Sequence, residues 1–396
     1  MPIKRFLLTF INFYLFLVFS VYPQTVHADG KIVTRLNVAT GVAYEDNYFL
    51  TADNEKSVSS YFIKPGIEFG YTTPKSNLLF NYVLDANWYD EEGSSPTGDL
   101  SSSDLNYVGH EMDFTGDTQI TNHLNIKIED TYILTRDPAD LDDYSNEIIR
   151  NKYSKNILTP QLKYQFVERF SFGTGYRYTD IDYRNKLDGD DDSTENRGLC
   201  NFHYDLNDLN SLVLQYQYWD KDYKRMINPD YISQQAALTL NRELKYYKLS
   251  LSGGYQSRKF ENNIQEEMSD FIWAIKLSAD RPEMLFTLSQ NINDTAVNND
   301  YYLATRFNAS IGHTFLEKLN VKLRGYYQYS DYKRDSNDRK DNTADISCKL
   351  TYLRNEILSI GLEAGVEVRD SSLQDNDYEN VYTLIGIQLN YDLGSK

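Results

Sequence analysis

The chain is poor in several residue types. Its 396 residues hold two cysteines, nine prolines and five histidines. One possible cysteine pair in so long a chain is no disulfide scaffold. Cys200 and Cys348 lie far apart, each on the apolar side of its segment, so both read as small buried hydrophobes. Positive charge is scarce. Lys and Arg number 40 against 58 Asp and Glu, and a net charge of −18 makes nucleic acid a poor partner. Past the N-terminal segment, no run is long and apolar enough to form a membrane helix. Four histidines lie beyond that segment, His110, His123, His203 and His313, in no Ser–His–acid or metal-ligand spacing. Nothing in the pattern therefore implies an enzyme, a cofactor or a metal centre.

The N-terminal segment is different. Lys4 and Arg5 precede an apolar stretch from Phe6 to Tyr22, and Val26-His27-Ala28 places small side chains at the −3 and −1 positions of a cleavage site before Asp29. That layout predicts a secretory signal over residues 1–28, removed to leave a single domain over 29–396.

What the chain has in abundance is tyrosine, 34 of them, and alternation. From Leu358 to Arg369, Leu358, Ile360, Leu362, Ala364, Val366 and Val368 share one parity, and Ser359, Gly361, Glu363, Gly365, Glu367 and Arg369 share the other. A strand sends these sets to opposite faces, whereas a helix would scatter both. The pattern recurs around Leu78–Trp88, Phe170–Tyr178, Phe271–Leu277, Leu319–Tyr329 and Val381–Leu393. Several runs exceed the roughly ten residues a tilted strand needs to cross a bilayer; strands of soluble sandwiches are about half as long.

The connections alternate as well. Short turns at residues 73–76, 120–123, 167–169, 207–210, 242–245, 281–283, 316–318 and 354–356 interleave with long loops near 45–58, 90–104, 137–151, 184–196, 222–230, 259–268, 293–300, 333–342 and 370–378. Eight short turns and nine long loops join eighteen strands; sixteen is the alternative, because 105–119 and 283–292 are poorly patterned. An apolar face on nearly every strand needs an apolar neighbour. If that neighbour is lipid, every backbone polar group must be paired and the sheet must close. The expected fold is thus an all-β, transmembrane, antiparallel up-and-down β-barrel with short periplasmic turns and long extracellular loops, in the outer membrane of a Gram-negative bacterium.

Two aromatic belts fit this reading. Tyr44, Tyr48, Trp88, Tyr89, Tyr178, Tyr183, Tyr218, Tyr223, Tyr329 and Tyr332 cluster at the long-loop ends, and Tyr71, Tyr164, Tyr246, Tyr352 and Tyr391 at the short-turn ends. The last strand resembles the terminal strand read by barrel-assembly machinery, although it closes on Leu393 and a Gly-Ser-Lys tail in place of an aromatic terminus.

Eighteen strands enclose a lumen wide enough for water. The parity opposite the apolar face supplies candidate pore-lining groups: Lys64, Glu68, Asp85, Lys127, Glu129, Arg177, Lys276, Arg306, Lys322, Arg324, Lys349, Glu363, Glu367 and Arg369, with Glu111, Asp113 and Lys248 beside them. Such a set either keeps the wall wet and cross-paired or selects a polar solute. The negative surplus sits in loops: Asp137, Asp140, Asp142, Asp143 and Glu147 in one, Asp188, Asp190, Asp191, Asp192 and Glu195 in another. The second is no EF-hand, since Ser193 stands where the sixth-position glycine belongs and Leu199 where the twelfth-position acid belongs. Solvated loop tips are the plain account; divalent-cation bridging to lipopolysaccharide is the sharper one.

The first hairpin carries a resemblance. Gly41-Val-Ala-Tyr44-Glu-Asp46-Asn47, Pro65-Gly66-Ile-Glu-Phe-Gly70-Tyr71 and Asn81-Tyr82 resemble the β-barrel porin families encoded with exopolysaccharide and exosortase gene clusters. The likeness is sharp over about residues 38–90 and elsewhere is one of layout. It implies a conduit or accessory barrel beside polysaccharide secretion, with polysaccharide or small polar solutes as partners, and carries over no transport residue. A general or sugar-uptake porin and a structural or adhesive barrel with a plugged lumen are the alternatives.

Overall fold

A computed structural model describes residues 30–90, 105–137, 150–184, 192–224, 229–261, 267–294, 301–333 and 338–394. The expected signal segment, residues 1–28, and most of the acidic loop residues named above lie outside them. Eighteen strands follow in order: β1 (Lys31–Glu45), β2 (Val58–Thr72), β3 (Ser76–Tyr89), β4 (Tyr107–Gln119), β5 (Leu124–Thr135), β6 (Tyr153–Val167), β7 (Phe170–Tyr183), β8 (Ser193–Asn207), β9 (Asn210–Tyr223), β10 (Tyr231–Glu243), β11 (Lys248–Phe260), β12 (Met268–Asp280), β13 (Glu283–Asp294), β14 (Tyr301–Phe315), β15 (Leu319–Tyr332), β16 (Lys340–Leu353), β17 (Leu358–Ser371) and β18 (Tyr378–Asp392). One 3₁₀ turn, Gln374–Asn376, interrupts the last long loop. No helix among the described residues is long and apolar enough to cross a membrane; the strands do the crossing.

Each strand pairs antiparallel with its sequence neighbours, and β1 pairs with β18, so the sheet closes. The two weakly patterned segments are β4 and β13, which fixes the count at eighteen. The long and short connections alternate as expected, down to a two-residue turn at Asp208-Leu209. Ile32, Leu36, Phe69, Phe80, Leu214, Phe271, Leu323, Ile360 and Ile387 are exposed on the outer face. In a soluble protein so large an apolar surface would be a liability; around a closed sheet it is the lipid-facing band. Cys200 and Cys348 are unpaired. They share the outer face with their register neighbours Tyr216 and Leu323.

The packed core sits inside the barrel at its long-loop end. Trp219, Tyr231, Phe260, Met268 and Ile292 form one cluster, Tyr48, Val58 and Leu105 a second, and Tyr302, Ala304 and Tyr332 a third. Half of the expected outer belt belongs here. Tyr44, Trp88 and Tyr218 are exposed outside, but Tyr48, Tyr183 and Tyr332 are buried. Tyr89 and Tyr223 pack into the same inner clusters. The reason is parity. Tyr89 is one residue from Trp88, Tyr183 five from Tyr178 and Tyr332 three from Tyr329, and an odd step along a strand changes face. At the short-turn end Tyr164, Tyr246, Tyr352 and Tyr391 are exposed as expected.

Candidate functional site: the lumen and its mouth

Register places all the candidate pore-lining residues on the inner face. Glu68 pairs with Asn81, Asn81 with Asp113 and Asp113 with Thr131; Lys349 lies between Lys322 and Glu363. Most of these charges are cross-paired. Lys64 meets Asp85 at 3.1 Å, Lys127 meets Glu129 at 2.6 Å, and Arg35 meets Glu68 at 2.7 Å. Lys322 meets Glu283 at 2.5 Å, and Glu363 holds both Arg324 and, at 3.6 Å, Lys349. Such pairs on a wetted wall contribute little stability each; their effect is to keep the bore polar and hydrated.

The wall is not uniform around its circumference. On β3 and β4, Asp85, Glu111, Asp113 and Asp117 share the inner face with Tyr107. Asp85 accepts from Asn87 at 2.8 Å, Asp113 from Thr131 at 3.0 Å and Asp117 from Asn125 at 2.6 Å. On the short-turn half of β11 and β12 the inner residues are Lys248, Ser250, Ser252, Ala274, Lys276 and Ser278, with Asp280 beside the turn, and neither lysine has an ion-pair partner among the described residues. In a ring of eighteen strands β12 stands nine places from β3, diametrically across the bore. An acidic wall thus faces a hydroxyl-rich wall bearing two unpaired ammonium groups, and a field runs across the lumen. A cavity of about 590 Å³ lies against the acidic side, lined by Glu45, Lys64, Asp85, Glu111, Arg150, Lys349 and Glu363 among others.

At the mouth, guanidinium groups lie over aromatic rings: Arg150 over Tyr48 at 4.2 Å, Arg197 over Trp219 at 4.2 Å, Arg258 over Tyr231 at 3.9 Å, Arg306 over Tyr326 at 3.7 Å, Arg339 over Tyr332 at 4.3 Å and Arg369 over Tyr378 at 4.9 Å. Cation–π contacts of this kind are stronger when desolvated. They knit neighbouring strands into a collar. Arg150, from the loop before β6, also pairs with Glu45 at 2.7 Å and donates to the Tyr48 carbonyl at 3.1 Å. Burial raises the Tyr48 phenol's pKa, so the ring stays neutral beneath the cation. Three of the sequence candidates, Arg306, Glu367 and Arg369, belong to this collar and not to the open wall. Arg369 is buried beneath Tyr378, and Glu367 accepts from Tyr326 at 3.1 Å and Tyr378 at 2.7 Å.

Sequence reasoning missed the inner aromatic collar and one ionic knot. Asp294, at the end of β13, accepts from Lys221 at 2.7 Å, Tyr231 at 2.8 Å and Tyr223 at 3.2 Å, and pairs with Arg258. No periodicity would have found it, since Asp294 sits at an outward parity position. The histidines are dispersed. His110 bonds Tyr82 at 3.0 Å and His313 lies against Phe315 on the outer face, His203 meets Asp205 at 2.9 Å, and His123 is in a turn.

Residues 249–391, covering β11 to β18, match the family described as "Putative beta-barrel porin 2". The match lies in the C-terminal strands, away from the hairpin that carried the sequence resemblance. No curated protein matches the chain. Among solved structures, Pseudomonas aeruginosa OpdK with vanillate aligns at a TM-score of 0.50 and 12% identity, over 92% of this chain and 99% of that one. Acinetobacter baumannii OccAB1 aligns at 0.49 and 14% identity, over 94% and 100%. At 12% identity the likeness to OpdK is one of fold. With a closed eighteen-stranded wall, apolar outside and ion-paired inside, the protein is an outer-membrane β-barrel of porin type, similar over β11–β18 to the family described as "Putative beta-barrel porin 2".

Proposed function

We propose that the protein is a passive conduit in the outer membrane of a Gram-negative bacterium, serving an exopolysaccharide system. The observation that carries the conduit is the transverse asymmetry of the lumen, with Asp85, Glu111 and Asp113 on β3 and β4 set across the bore from Lys248 and Lys276 on β11 and β12. A wall built only to stay wet has no need of unpaired cations opposite an acidic patch. A field across the bore orients a dipolar or charged solute and leaves hydroxyls along its path. The first hairpin's resemblance to the exopolysaccharide-associated barrels supports the class of cargo. In this reading the role is transport, the partners are outer-membrane lipid, lipopolysaccharide and the barrel-assembly machinery, and an N-terminal signal delivers the chain.

A second reading rests on Lys248 and Lys276, which suit a small anionic solute taken up from outside. Planar-bilayer recording separates these. A steady ohmic current, blocked by added acidic polysaccharide from one side, supports the polysaccharide conduit. Current that small carboxylates block and polysaccharide does not supports uptake. Silence from inserted, folded protein overturns both in favour of a structural or adhesive barrel.

A further inference from the structure

The lumen wall is recessed on its acidic side. One register line of inner positions runs Gly361, Gly386, Gly41, Phe62, Asn87 and Tyr107, from β17 through β18, β1, β2 and β3 to β4. Three glycines in succession leave three strands without a side chain at this level. The Phe62 ring leans over two of them. A Cβ at residue 41 would stand 2.6 Å from Phe62 Cζ, and one at residue 386 would stand 3.7 Å from it. Over Gly361 the space is open, since a Cβ there would meet nothing nearer than 3.9 Å. Phe62 is half-buried, so part of its ring remains toward the bore, with Lys64 Nζ 5.6 Å from the ring centre. This is the floor of the cavity of about 590 Å³ described above, a volume within the roughly 300–1,000 Å³ that small-molecule sites occupy.

The cations around this floor are already matched. Lys64 holds Asp85, Lys349 holds Glu363 and Arg150 holds Glu45. Glu111 is not matched. It lines the cavity, set in register between Val83 and Ile133, and has no ion-pair or hydrogen-bond partner among the described residues. Toward the mouth, two buried polar atoms of the same lining, Tyr48 Oη and Arg136 Nε, also lack a hydrogen-bond partner among the described residues, and Tyr48 is 2% exposed. Buried groups left unpaired are costly and mark a place where a partner belongs. The lining thus offers an aromatic surface on a bare floor, a free acceptor on one side and free donors on the other.

We propose that this recess is a saccharide subsite, holding a pyranose ring without an acidic group. The ring's C–H face stacks on Phe62, whose π face is negative. Its hydroxyls donate to Glu111 and accept from Tyr48 Oη and Arg136 Nε. A pyranose meets both demands at once, because it is apolar across one face and bears hydroxyls, which donate and accept, around its edge. An alkyl ligand would leave the orphan groups unpaired. An acidic sugar would meet the Glu111 carboxylate and find no free cation in the recess; acidic groups of a longer chain fall outside it, toward Lys248 and Lys276 across the bore. The subsite rests on the reading of the lumen as a glycan path and deepens it by naming what the wall recognises.

The test uses the full barrel in a detergent without sugar groups, checked for folding by heat-modifiable migration, with binding read by saturation-transfer NMR. The probes are maltohexaose, isomaltohexaose and cellohexaose, which share the ring and differ in linkage. At least one should bind saturably. Gly361→Phe, which fills the recess from its open side, should abolish that binding. Phe62→Leu should weaken it about tenfold and Glu111→Gln about threefold; these two carry the test if Gly361→Phe does not fold. Sorbitol, with hydroxyls and no ring, should not bind, and trigalacturonate should bind at least about tenfold more weakly. Absence of binding by all three hexasaccharides, or binding that the variants leave unchanged, overturns the subsite. Sorbitol or trigalacturonate binding as well as the best hexasaccharide overturns the assignment of a ring without an acidic group. Bilayer current tests the conduit separately: a conducting barrel that binds no sugar loses the subsite alone, and a silent barrel that binds sugar loses the conduit alone.

Discussion

Two seams of this barrel invert expectation. β1 and β18 lie at opposite ends of the chain, yet their ladder runs from Arg35–Asp392 to Glu45–Tyr382. It is then extended by Asp46 N–H to the Val381 carbonyl at 3.1 Å and Asn47 Nδ2 to the Glu379 carbonyl at 3.0 Å. β12 and β13 are joined by a two-residue turn, yet they separate above Trp273. Proximity in sequence starts a ladder but does not carry it to the top. What decides is the partner each strand end finds. Asn47 finds backbone on the neighbouring strand, while Asp294 finds two cations and two phenols inside the lumen.

The contrast can be broken most forcefully at Asp294. Asp294→Ala leaves buried Arg258 and Lys221 without their carboxylate, and removing one partner of a buried pair costs about 3–5 kcal/mol. The expected result is a clearly lower denaturation midpoint and a red-shifted Trp219 emission. Pairing Asp294→Leu with Arg258→Met should recover part of that loss; a double variant worse than either single one would show that the knot is not what holds the strand end.

At the closed seam the sensitive point is Gly41, paired with Gly386. A Cβ at residue 41 would stand 2.6 Å from the Phe62 ring and 2.4 Å from the Ile385 carbonyl oxygen. Phe62 covers the two glycines, an aromatic over a gap in the ladder's side chains. Gly41→Leu should cost about 1–3 kcal/mol by overpacking, read from the temperature at which the folded electrophoretic band is lost, whereas Gly361→Ala, whose Cβ would meet nothing nearer than 3.9 Å, should change that temperature little.

The smaller effects belong to the lumen. Glu363→Gln unpairs Arg324 and Lys349 and should move the reversal potential in a salt gradient toward anion preference, with a stability change of no more than about 1 kcal/mol. Lys276→Ala removes an unpaired inner cation. It should leave stability within about 0.5 kcal/mol and shift selectivity the opposite way. Two shifts of the same sign would refute the assignment of the transverse field to these groups.

Most of the wall was legible because a strand has a period of two and lipid tolerates no exception over the band it touches. Leu358 to Arg369 alternate residue by residue between the two faces of β17, and the register sets Lys64, Glu68 and Lys322 on the face opposite the apolar one. The tyrosines misled because a belt residue and a collar residue have the same identity and differ only in parity; Trp88 and Tyr89 are adjacent and face opposite ways. β13 read poorly for a physical reason. Gln290 and Asp294 occupy positions that alternation assigns to lipid, and the strand accommodates them by leaving the wall.

The sequence by itself determined the closed, lipid-facing sheet, its strand number to within one hairpin and the alternation of its long and short connections, because these follow from local periodicity and from the demand that backbone in a membrane be paired. Only the tertiary structure decided which inner charges neutralise one another, which stand alone across the bore, and where the wall parts. Those depend on contacts between strands distant in sequence, such as Lys221 and Arg258 with Asp294, whose geometry no one-dimensional pattern contains.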